Sequence, residues 1–201
     1  MLDKQKESVY CYIHRYIQSK DGFVSTVFFG GVIDRIDCYD NGDKRFLRVV
    51  DYKTGSHKFD ASKVATGEDI QLPAYLFTAA NESNQKLYGD GGNISPASAL
   101  FLSADESEGK ITPVRSGFIL GEDEILNASN NAPEPEGKKK KKSSKGDLAV
   151  SGEEFKSIES DFRSSISHIG ESIYSGNIPK TPSENSCKFC TMRDSCTSAV
   201  K

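Results

Sequence analysis

The chain has 201 residues, a length that fits one domain or one domain with an appendage, and with 36% hydrophobic and 27% charged residues it is globular but polar. No apolar run is long enough to span a membrane, and the first residues lack the apolar segment of a secretory signal, so we expect a cytoplasmic protein. The formal net charge of −3 argues against a simple basic nucleic-acid binder. That figure conceals residues 137–146, which hold six of the 26 Lys and Arg residues and no acid.

The first part of the chain predicts a helix followed by a β-hairpin. Apolar side chains at helical spacing predict the helix over residues 2–19, namely Val9, Ile13, Tyr16 and Ile17. Residues 23–40 are rich in Val, Ile and Phe and predict one or two strands, and residues 44–54 predict the strand that returns. Between them, residues 40–43 read DNGD, which is a turn signal, so the two strands form a hairpin. Gly30-Gly31 predicts a bend, a bulge or a close backbone approach.

The rest of the chain predicts a helix over residues 68–80 and two strands over residues 99–104 and 110–120. A mobile Lys-rich surface loop follows over residues 121–150, and a last helix over residues 152–175. Each helix follows a capping-box sequence, Thr66 with Asp69 and Ser151 with Glu154, and Gly176 marks the end of the last helix. The order of elements predicts an α/β fold, in which a central mixed β-sheet is flanked by helices within a single domain.

The hairpin carries the informative chemistry, in the segments GGVIDRID (residues 30–37) and VVDYKTG (residues 49–55). Because side chains alternate along a strand, Asp51 and Lys53 point to one face, and pairing about the turn brings Asp34 opposite Asp51 to within about one residue. Two carboxylates that converge in a half-buried place repel each other, and Mg²⁺ or Mn²⁺ relieves the repulsion with all-oxygen ligands. A neighbouring lysine can stabilise the charge that develops on a phosphate under attack by a water that the metal activates. The pattern therefore predicts metal-assisted phosphodiester hydrolysis.

The alternative role for these acids is simple ion pairing. Acids and lysines are common near hairpin turns, and Asp34 could pair with Arg35 or Arg48. Against this, Asp34 and Asp51 each interrupt an apolar run, where an acid is costly unless it is paired or bound to a metal. Asp37 alternates to the face opposite Asp34, and we interpret it as structural.

A third candidate element is QLPAY, in which Gln71 and Tyr75 are four residues apart and share one helix face. An amide and a phenol on that face could contact a DNA phosphate or orient Lys53. The alternative is an ordinary helix surface with a tyrosine at the edge of the core.

The three motifs, GGVIDRID, DYKTG and QLPAY, occur in this order within 46 residues. At these spacings they closely resemble the RecB-like branch of the PD-(D/E)XK nuclease superfamily. The resemblance implies a restriction-endonuclease-like core in which Asp34, Asp51 and the backbone carbonyl of Tyr52 bind the metal. The catalytic residues that it implies are Asp34, Asp51, Lys53, Gln71 and Tyr75.

Five cysteines and no export signal argue against a disulfide framework and for a reducing cytosol. Three of them, Cys187, Cys190 and Cys196, lie within ten residues in a Cys-rich tail, residues 177–201. Thiolates at this spacing suit zinc or a [4Fe–4S] cluster, each of which takes four ligands, and the spacing does not separate the two. Three unligated thiols are the remaining interpretation.

The resemblance sharpens the interpretation of these cysteines. Some RecB-like nucleases, including AddB subunits of bacterial AddAB helicase–nucleases and CRISPR-associated exonucleases, carry an iron–sulfur cluster that joins the C-terminus to an upstream cysteine. The long stretch from QLPAY to the cysteines is most similar to the C-terminal nuclease domain of AddB. The upstream Cys-Pro segment of the family is not recognisable, and neither Cys11 nor Cys38 is assigned as the fourth ligand. His14 is the only positional candidate for the family's upstream histidine, and we interpret it as solvent-exposed.

We therefore expect a fragment of a larger subunit, with an incomplete cluster. The resemblance implies a metal-dependent DNA exonuclease domain that acts on a single strand emerging from a helicase, with the 5′-terminated strand as substrate. It implies an AddA-like helicase–nuclease subunit as partner, in the repair of double-strand breaks by recombination. Two alternatives stay open: a free-standing CRISPR-associated iron–sulfur exonuclease, and a catalytically silent DNA-binding or scaffold module with the same fold. The lysines of residues 137–146 can bind nucleic acid by counterion release, but the lack of interleaved aromatics favours a solvated loop.

Overall fold

The computed structural model describes residues 9–18, 24–55, 57–81, 93–107, 110–130, 148–177, 179–180, 184–188 and 190–198. The strands in these stretches are β1 (Val9–Gln18), β2 (Val24–Ile33), β3 (Arg35–Asp40), β4 (Lys44–Lys53), β5 (Asn93–Ser107), β6 (Lys110–Leu120) and β7 (Ala149–Val150). The helices are α1 (Gln71–Ala79), α2 (Asp123–Asn130), α3 (Gly152–Tyr174) and α4 (Glu184–Lys188), with 3₁₀ turns at Ala61–Lys63 and Arg193–Ser195. None of the helices in the described stretches has both the length and the apolar character that crossing a membrane requires.

The strands form an antiparallel β1–β2 pair and a five-stranded mixed sheet in the order β3-β4-β5-β6-β7. In the larger sheet, β4 is parallel to β5 and β6 is parallel to β7, while the other neighbours are antiparallel. Helix α1 lies in the crossover between β4 and β5, as a parallel pair requires. The structure confirms the predicted α/β class with a mixed sheet flanked by helices.

The predicted helix over residues 2–19 is wrong where the structure describes that segment. Residues 9–18 form β1, which pairs with β2 along all ten of its residues. Its sequence VYCYIHRYIQ holds six β-branched or aromatic residues, which suit a pleated strand, and β2 pairs with the backbone groups along one of its edges. The helical spacing of its apolar residues is therefore incidental to a segment that is apolar at most positions. Residues 2–8 and 19 lie outside the described residues.

The predicted hairpin is confirmed as β3 and β4. Arg35 lies opposite Val50, and continuing this register by one residue places Asp34 opposite Asp51. In the turn, the Asn41 side chain accepts hydrogen bonds from the backbone N–H groups of Asp43 and Lys44, at 3.1 and 2.8 Å. The adjoining strand β2 is almost continuous with β3, and the chain bends at Asp34 between them.

Helix α3 begins as its sequence predicts. The Ser151 hydroxyl accepts from the N–H of Glu154 at 3.1 Å, and the Glu154 carboxylate accepts from the N–H of Ser151 at 2.8 Å. The hydrogen bond from the Ser151 N–H lowers the pKa of the Glu154 carboxyl group. After the helix, Gly176 has a φ of +69°, the left-handed conformation of a helix C-terminus.

The predicted capping box ahead of α1 is wrong. Thr66 donates its hydroxyl to the carbonyl of Lys63, and the Asp69 carboxylate accepts from the N–H of Asp60. Both side chains therefore stabilise the preceding loop, and α1 begins at Gln71 without a side-chain cap.

The segment predicted as a loop over residues 121–150 contains two elements, α2 and β7. Asp123 and Glu124 stand in the first turn of α2, where acids favour the helix N-terminus, and Ile125 is buried against the sheet. The Lys-rich residues 137–146 and the rest of 131–147 lie outside the described residues.

Two apolar clusters lie on opposite faces of the larger sheet. The larger one, between the sheet and helices α1 and α3, includes Leu47, Val49, Leu72, Leu76, Phe118, Phe155 and Phe162. The smaller one, under α2, consists of Phe46, Ala97, Leu100, Ile119 and Ile125. Because side chains alternate along β4, Asp51 and Lys53 share the face of Leu47 and Val49, towards α1.

Candidate active site

Asp51 is a buried carboxylate near the end of β4, with only 5% of the residue exposed. Lys53 Nζ lies 2.6 Å from its Oδ1, and Gln71 Nε2 donates to its Oδ2 at 3.1 Å. The lysine contact is an ion pair whose direction is not that of a hydrogen bond, so Oδ1 has no aligned donor among the described residues. A buried carboxylate oxygen that meets only a positive charge is suited to a metal cation.

Asp34 lies at the bend between β2 and β3 and is exposed to solvent. Its Oδ2 accepts a hydrogen bond from the backbone N–H of Tyr52 at 2.8 Å, which fixes the carboxylate beside the end of β4. The β3–β4 register ends with Arg35 opposite Val50, and its continuation by one residue places Asp34 opposite Asp51, so we expect the two carboxyl groups to be near neighbours. One is open to solvent and the other is buried.

Gln71, in the first turn of α1, links three other side chains of the site. Its Oε1 accepts from Lys53 Nζ at 2.9 Å, and its Nε2 donates to Asp51 Oδ2 and to the Tyr75 hydroxyl oxygen at 3.1 and 3.2 Å. An ammonium can only donate and an ionised carboxylate can only accept. The amide oxygen of Gln71 therefore faces Lys53, and its NH₂ group faces Asp51. The predicted face of Gln71 and Tyr75 is therefore turned towards Asp51 and Lys53.

Phe101, on β5, is a neighbour of the site that sequence reasoning did not identify. It lies opposite Asp51 across the parallel β4–β5 pair, and Lys53 Nζ lies 4.9 Å from the centre of its ring. His57, in the loop after β4, contacts the same ring edge to face, with 4.6 Å between ring centres. The segment ALFLSA is correctly predicted as a strand, but nothing in its sequence shows that it lies beside Asp51.

The ion pairs that could have occupied Asp34 are made by Asp37 instead. Arg35 Nε lies 2.7 Å from one Asp37 oxygen, and Arg48 donates to the other at 2.7 and 2.9 Å. The hydrogen bond with Asp37 raises the pKa of Arg35. These ion pairs agree with a structural role for Asp37. The Asp34 carboxylate accepts its hydrogen bond from the backbone N–H of Tyr52.

The three cysteines of the tail lie in consecutive turns. The N–H of Cys190 donates to the carbonyl of Cys187 at 3.3 Å, and the N–H of Cys196 donates to Arg193 at 3.3 Å. Cys187 is buried and Cys190 is exposed. No three His, Cys, Asp or Glu side chains in the described part of the chain converge as a metal-binding group. Desolvation raises the pKa of the Cys38 thiol, which disfavours its metal-binding thiolate form.

Two residues weighed as candidate ligands in the sequence analysis have side chains that the structure does not describe. They are Cys11 and His14, whose backbone belongs to β1. The remaining four cysteines form no disulfide.

Comparison with known families identifies the fold to which this site belongs. The sequence matches the PD-(D/E)XK nuclease superfamily over residues 2–197, which is nearly the whole chain. The chain belongs to the PD-(D/E)XK nuclease superfamily. The predicted family resemblance is thereby confirmed, and the mixed sheet with flanking helices is the architecture expected of this superfamily.

Among curated proteins, this PD-(D/E)XK domain is similar to bacterial ATP-dependent helicase/deoxyribonuclease B subunits, which are of the AddB type. It is 26% identical to that of Alkaliphilus oremlandii over an alignment of 195 residues, which covers 85% of this chain. It is 28% identical to that of Carboxydothermus hydrogenoformans over 192 residues, and 29% identical to that of Exiguobacterium sibiricum over 200 residues, which are 83% and 84% of this chain. In all three comparisons the match spans 17% of the relative's length. The predicted similarity to the AddB component of a helicase–nuclease is confirmed.

Proposed function

We propose that this PD-(D/E)XK domain is a metal-dependent deoxyribonuclease that removes nucleotides from a DNA end by phosphodiester hydrolysis. The observation that carries the proposal is the cluster at the end of β4, beside Asp34. There Lys53 forms an ion pair with Asp51, and Gln71 forms hydrogen bonds with both. The superfamily and the printed names of the relatives support the same chemistry.

The metal would be Mg²⁺ or Mn²⁺, held by Asp34, Asp51 and the backbone carbonyl of Tyr52. The donor set fits these ions, since it consists of oxygens only, and Asp51 Oδ1 is a buried acceptor without an aligned donor in the described structure. When bound, such an ion polarises the phosphate and activates the attacking water.

The protein residues bind and orient the reacting groups. Lys53 would donate to a phosphate oxygen and stabilise the charge that develops there. Gln71 holds the Lys53 ammonium at 2.9 Å, so the donor is in place before DNA arrives. Tyr75 in turn holds the Gln71 amide at 3.2 Å. In this scheme Asp34, Asp51 and Lys53 touch the metal or the phosphate, while Gln71 and Tyr75 orient them.

For the substrate we propose single-stranded DNA, degraded from its 5′ end in the cytoplasm. The relatives are named as subunits of an ATP-dependent helicase/deoxyribonuclease, which supports a helicase as the source of that strand. Because these relatives are named as one subunit of an ATP-dependent enzyme, we propose that an AddA-like partner subunit supplies the ATP-driven step. Such a complex would process double-strand breaks for recombination.

For the tail we propose a [4Fe–4S] cluster in which Cys187, Cys190 and Cys196 supply three of four thiolates. The spacing of the three cysteines and the consecutive turns in which they lie support this proposal. A longer chain that supplies the fourth cysteine, purified anaerobically, should be brown and absorb at about 400 nm, and its triple Cys→Ser variant should be colourless. A colourless wild-type protein with bound zinc would contradict the cluster.

The nuclease itself is tested by degradation of labelled single-stranded DNA with Mg²⁺ or Mn²⁺. We expect Asp51→Ala to abolish cleavage, while Asp43→Ala, which removes an exposed acid of the hairpin turn, should leave it unchanged. Equal rates for wild type and Asp51→Ala would contradict the assignment. Oligonucleotides blocked at either end test polarity, and a chain that degrades only substrates with a free 3′ end would contradict the proposed direction.

A further inference from the structure

Gly31, on β2, lies directly against the ring of Tyr75. A Cβ atom at position 31 would be 2.7 Å from Cε1 of that ring and 3.2 Å from its hydroxyl oxygen. Side-chain carbons do not approach one another that closely, so any other residue would displace either the ring or the strand. Tyr75 is only 9% exposed and its neighbours Leu72 and Leu76 in α1 are fully buried, so the ring has little room to move.

The position of Tyr75 is transmitted to the site through one amide. The Tyr75 hydroxyl oxygen accepts one proton of Gln71 Nε2, and Asp51 Oδ2 accepts the other. The oxygen of the same amide accepts from Lys53. Both amide protons and the amide oxygen are thus committed, and a shift of the Tyr75 ring would move or break a bond on which the amide depends.

We propose that Gly31 is a positioning residue of this site. Its missing side chain seats the Tyr75 ring, the ring orients the Gln71 amide, and the amide holds Lys53 and Asp51. The proposal rests on the proposed function for its catalytic consequence, although the arrangement itself belongs to the metal-free protein. It also gives a physical reason for a glycine in a strand that otherwise favours larger residues.

The first experiment reads the Gln71 amide in the metal-free protein by NMR, with its two proton signals assigned from their loss in Gln71→Glu. We expect Gly31→Ala and Tyr75→Phe each to shift both signals. Gly152→Ala is the matched control, because a Cβ at that exposed position meets no atom within 4 Å. Unchanged Gln71 signals in Gly31→Ala would overturn the proposal, whatever the nuclease assay shows.

The second experiment is a double-mutant cycle on DNA cleavage. A misplacement of about 1 Å can cost a factor of roughly 100, so we expect Gly31→Ala to lower kcat by about 10- to 100-fold with little change in KM. In a Tyr75→Ala background the ring is gone, and the same glycine substitution should change kcat by less than about twofold. An equal loss in both backgrounds would overturn the proposal, because Gly31 would then act independently of Tyr75.

Tyr75→Phe covers the case in which Gly31→Ala does not fold. It keeps the ring in its seat and removes only the hydroxyl, so we expect the melting temperature to fall by only about 2–4 °C, the loss of one hydrogen bond. We expect kcat to fall by about fivefold, because the Gln71 amide is then held less firmly. A normal kcat in this variant would overturn the link from Tyr75 to Gln71. If the wild-type chain does not cleave DNA, the proposed function fails, while the Gln71 signals still decide whether Gly31 positions the amide.

Discussion

The ion pair between Lys53 and Asp51 predicts a competition between an ammonium group and a metal ion for one carboxylate. Lys53 Nζ lies 2.6 Å from Asp51 Oδ1, on the side of the carboxylate that no aligned donor occupies in the described structure. A divalent cation that binds this oxygen must displace the ammonium, which then keeps Gln71 Oε1 as its partner. We therefore expect Lys53→Met to bind Mg²⁺ or Mn²⁺ more tightly than the wild type.

The structure sets the size of this effect. The Asp51 side chain is 7% exposed and the Lys53 side chain 26%, so the pair is partly screened by solvent and is weaker than a fully buried one. A hydrogen bond or ion pair of this kind contributes about 1–2 kcal/mol. Its removal should lower the dissociation constant of the metal by about 5- to 30-fold. Cleavage should fall at the same time, because the phosphate loses its cationic partner.

Calorimetric titration of the metal-free protein with Mn²⁺ measures the affinity directly. Lys58→Met is the control, because Lys58 is an exposed lysine five residues further along the chain. Asp51→Asn should abolish binding at the same site. An unchanged or weaker affinity in Lys53→Met would refute the competition. Tighter binding with lost cleavage would separate this effect from a damaged fold, which would weaken both.

Three further predictions concern stability. Phe118→Ala should lower the free energy of unfolding by about 3–5 kcal/mol in urea titrations, because Phe118 is 1% exposed and contacts the rings of Phe77 and Phe155; a loss below about 1 kcal/mol would contradict this core. Ser151→Ala should cost about 1 kcal/mol, and no loss would contradict the capping box. The hydrogen bond that the Glu154 carboxylate accepts stabilises the fold fully above the ordinary glutamate pKa, and this stabilisation is lost as the pH falls through the lowered pKa of Glu154. The difference in unfolding free energy between wild type and Glu154→Gln should therefore shrink between about pH 6 and about pH 3. A difference that stays constant over this range would contradict the lowered pKa.

The sequence predicts the hairpin and its register because local signals agree there. Asp40–Asp43 is a strong turn, the flanking segments favour strands, and counting back from the turn places Asp34 opposite Asp51. The spacing of Gln71 and Tyr75 likewise places them on one helix face without knowledge of the fold. These features depend on residues that are neighbours in sequence or across one tight turn.

The wrong predictions arise where a local pattern has two solutions. The apolar residues of 9–18 satisfy helical spacing and also suit a strand, and only the partner strand β2 decides between them. Thr66 and Asp69 have the spacing of a capping box, but the loop before α1 has its own polar backbone groups to satisfy and uses both side chains. In the first case pairing with another strand overrides the local preference, and in the second case other hydrogen bonds within the same loop do so.

The contacts that complete the site could not be predicted, because they depend on which elements become neighbours. Phe101 meets Lys53 only because β5 pairs in parallel with β4 after the α1 crossover, with a shift of register after Leu47. Gly31 meets Tyr75 only because α1 packs over the end of β2. The sequence marks Gly31 as a place of close approach but does not say what approaches it.

The net charge of −3 counts against nucleic-acid binding only if charge is averaged over the chain. At the site itself, Asp34, Asp51 and Lys53 together carry one net negative charge, which alone would repel a phosphate. A divalent cation held by the two carboxylates would reverse the sign of that local charge and leave Lys53 as an additional donor. Two of the 29 acidic residues that lower the net charge, Asp34 and Asp51, are therefore the proposed ligands of that cation, and the local charge after metal binding would decide whether a phosphate is attracted or repelled.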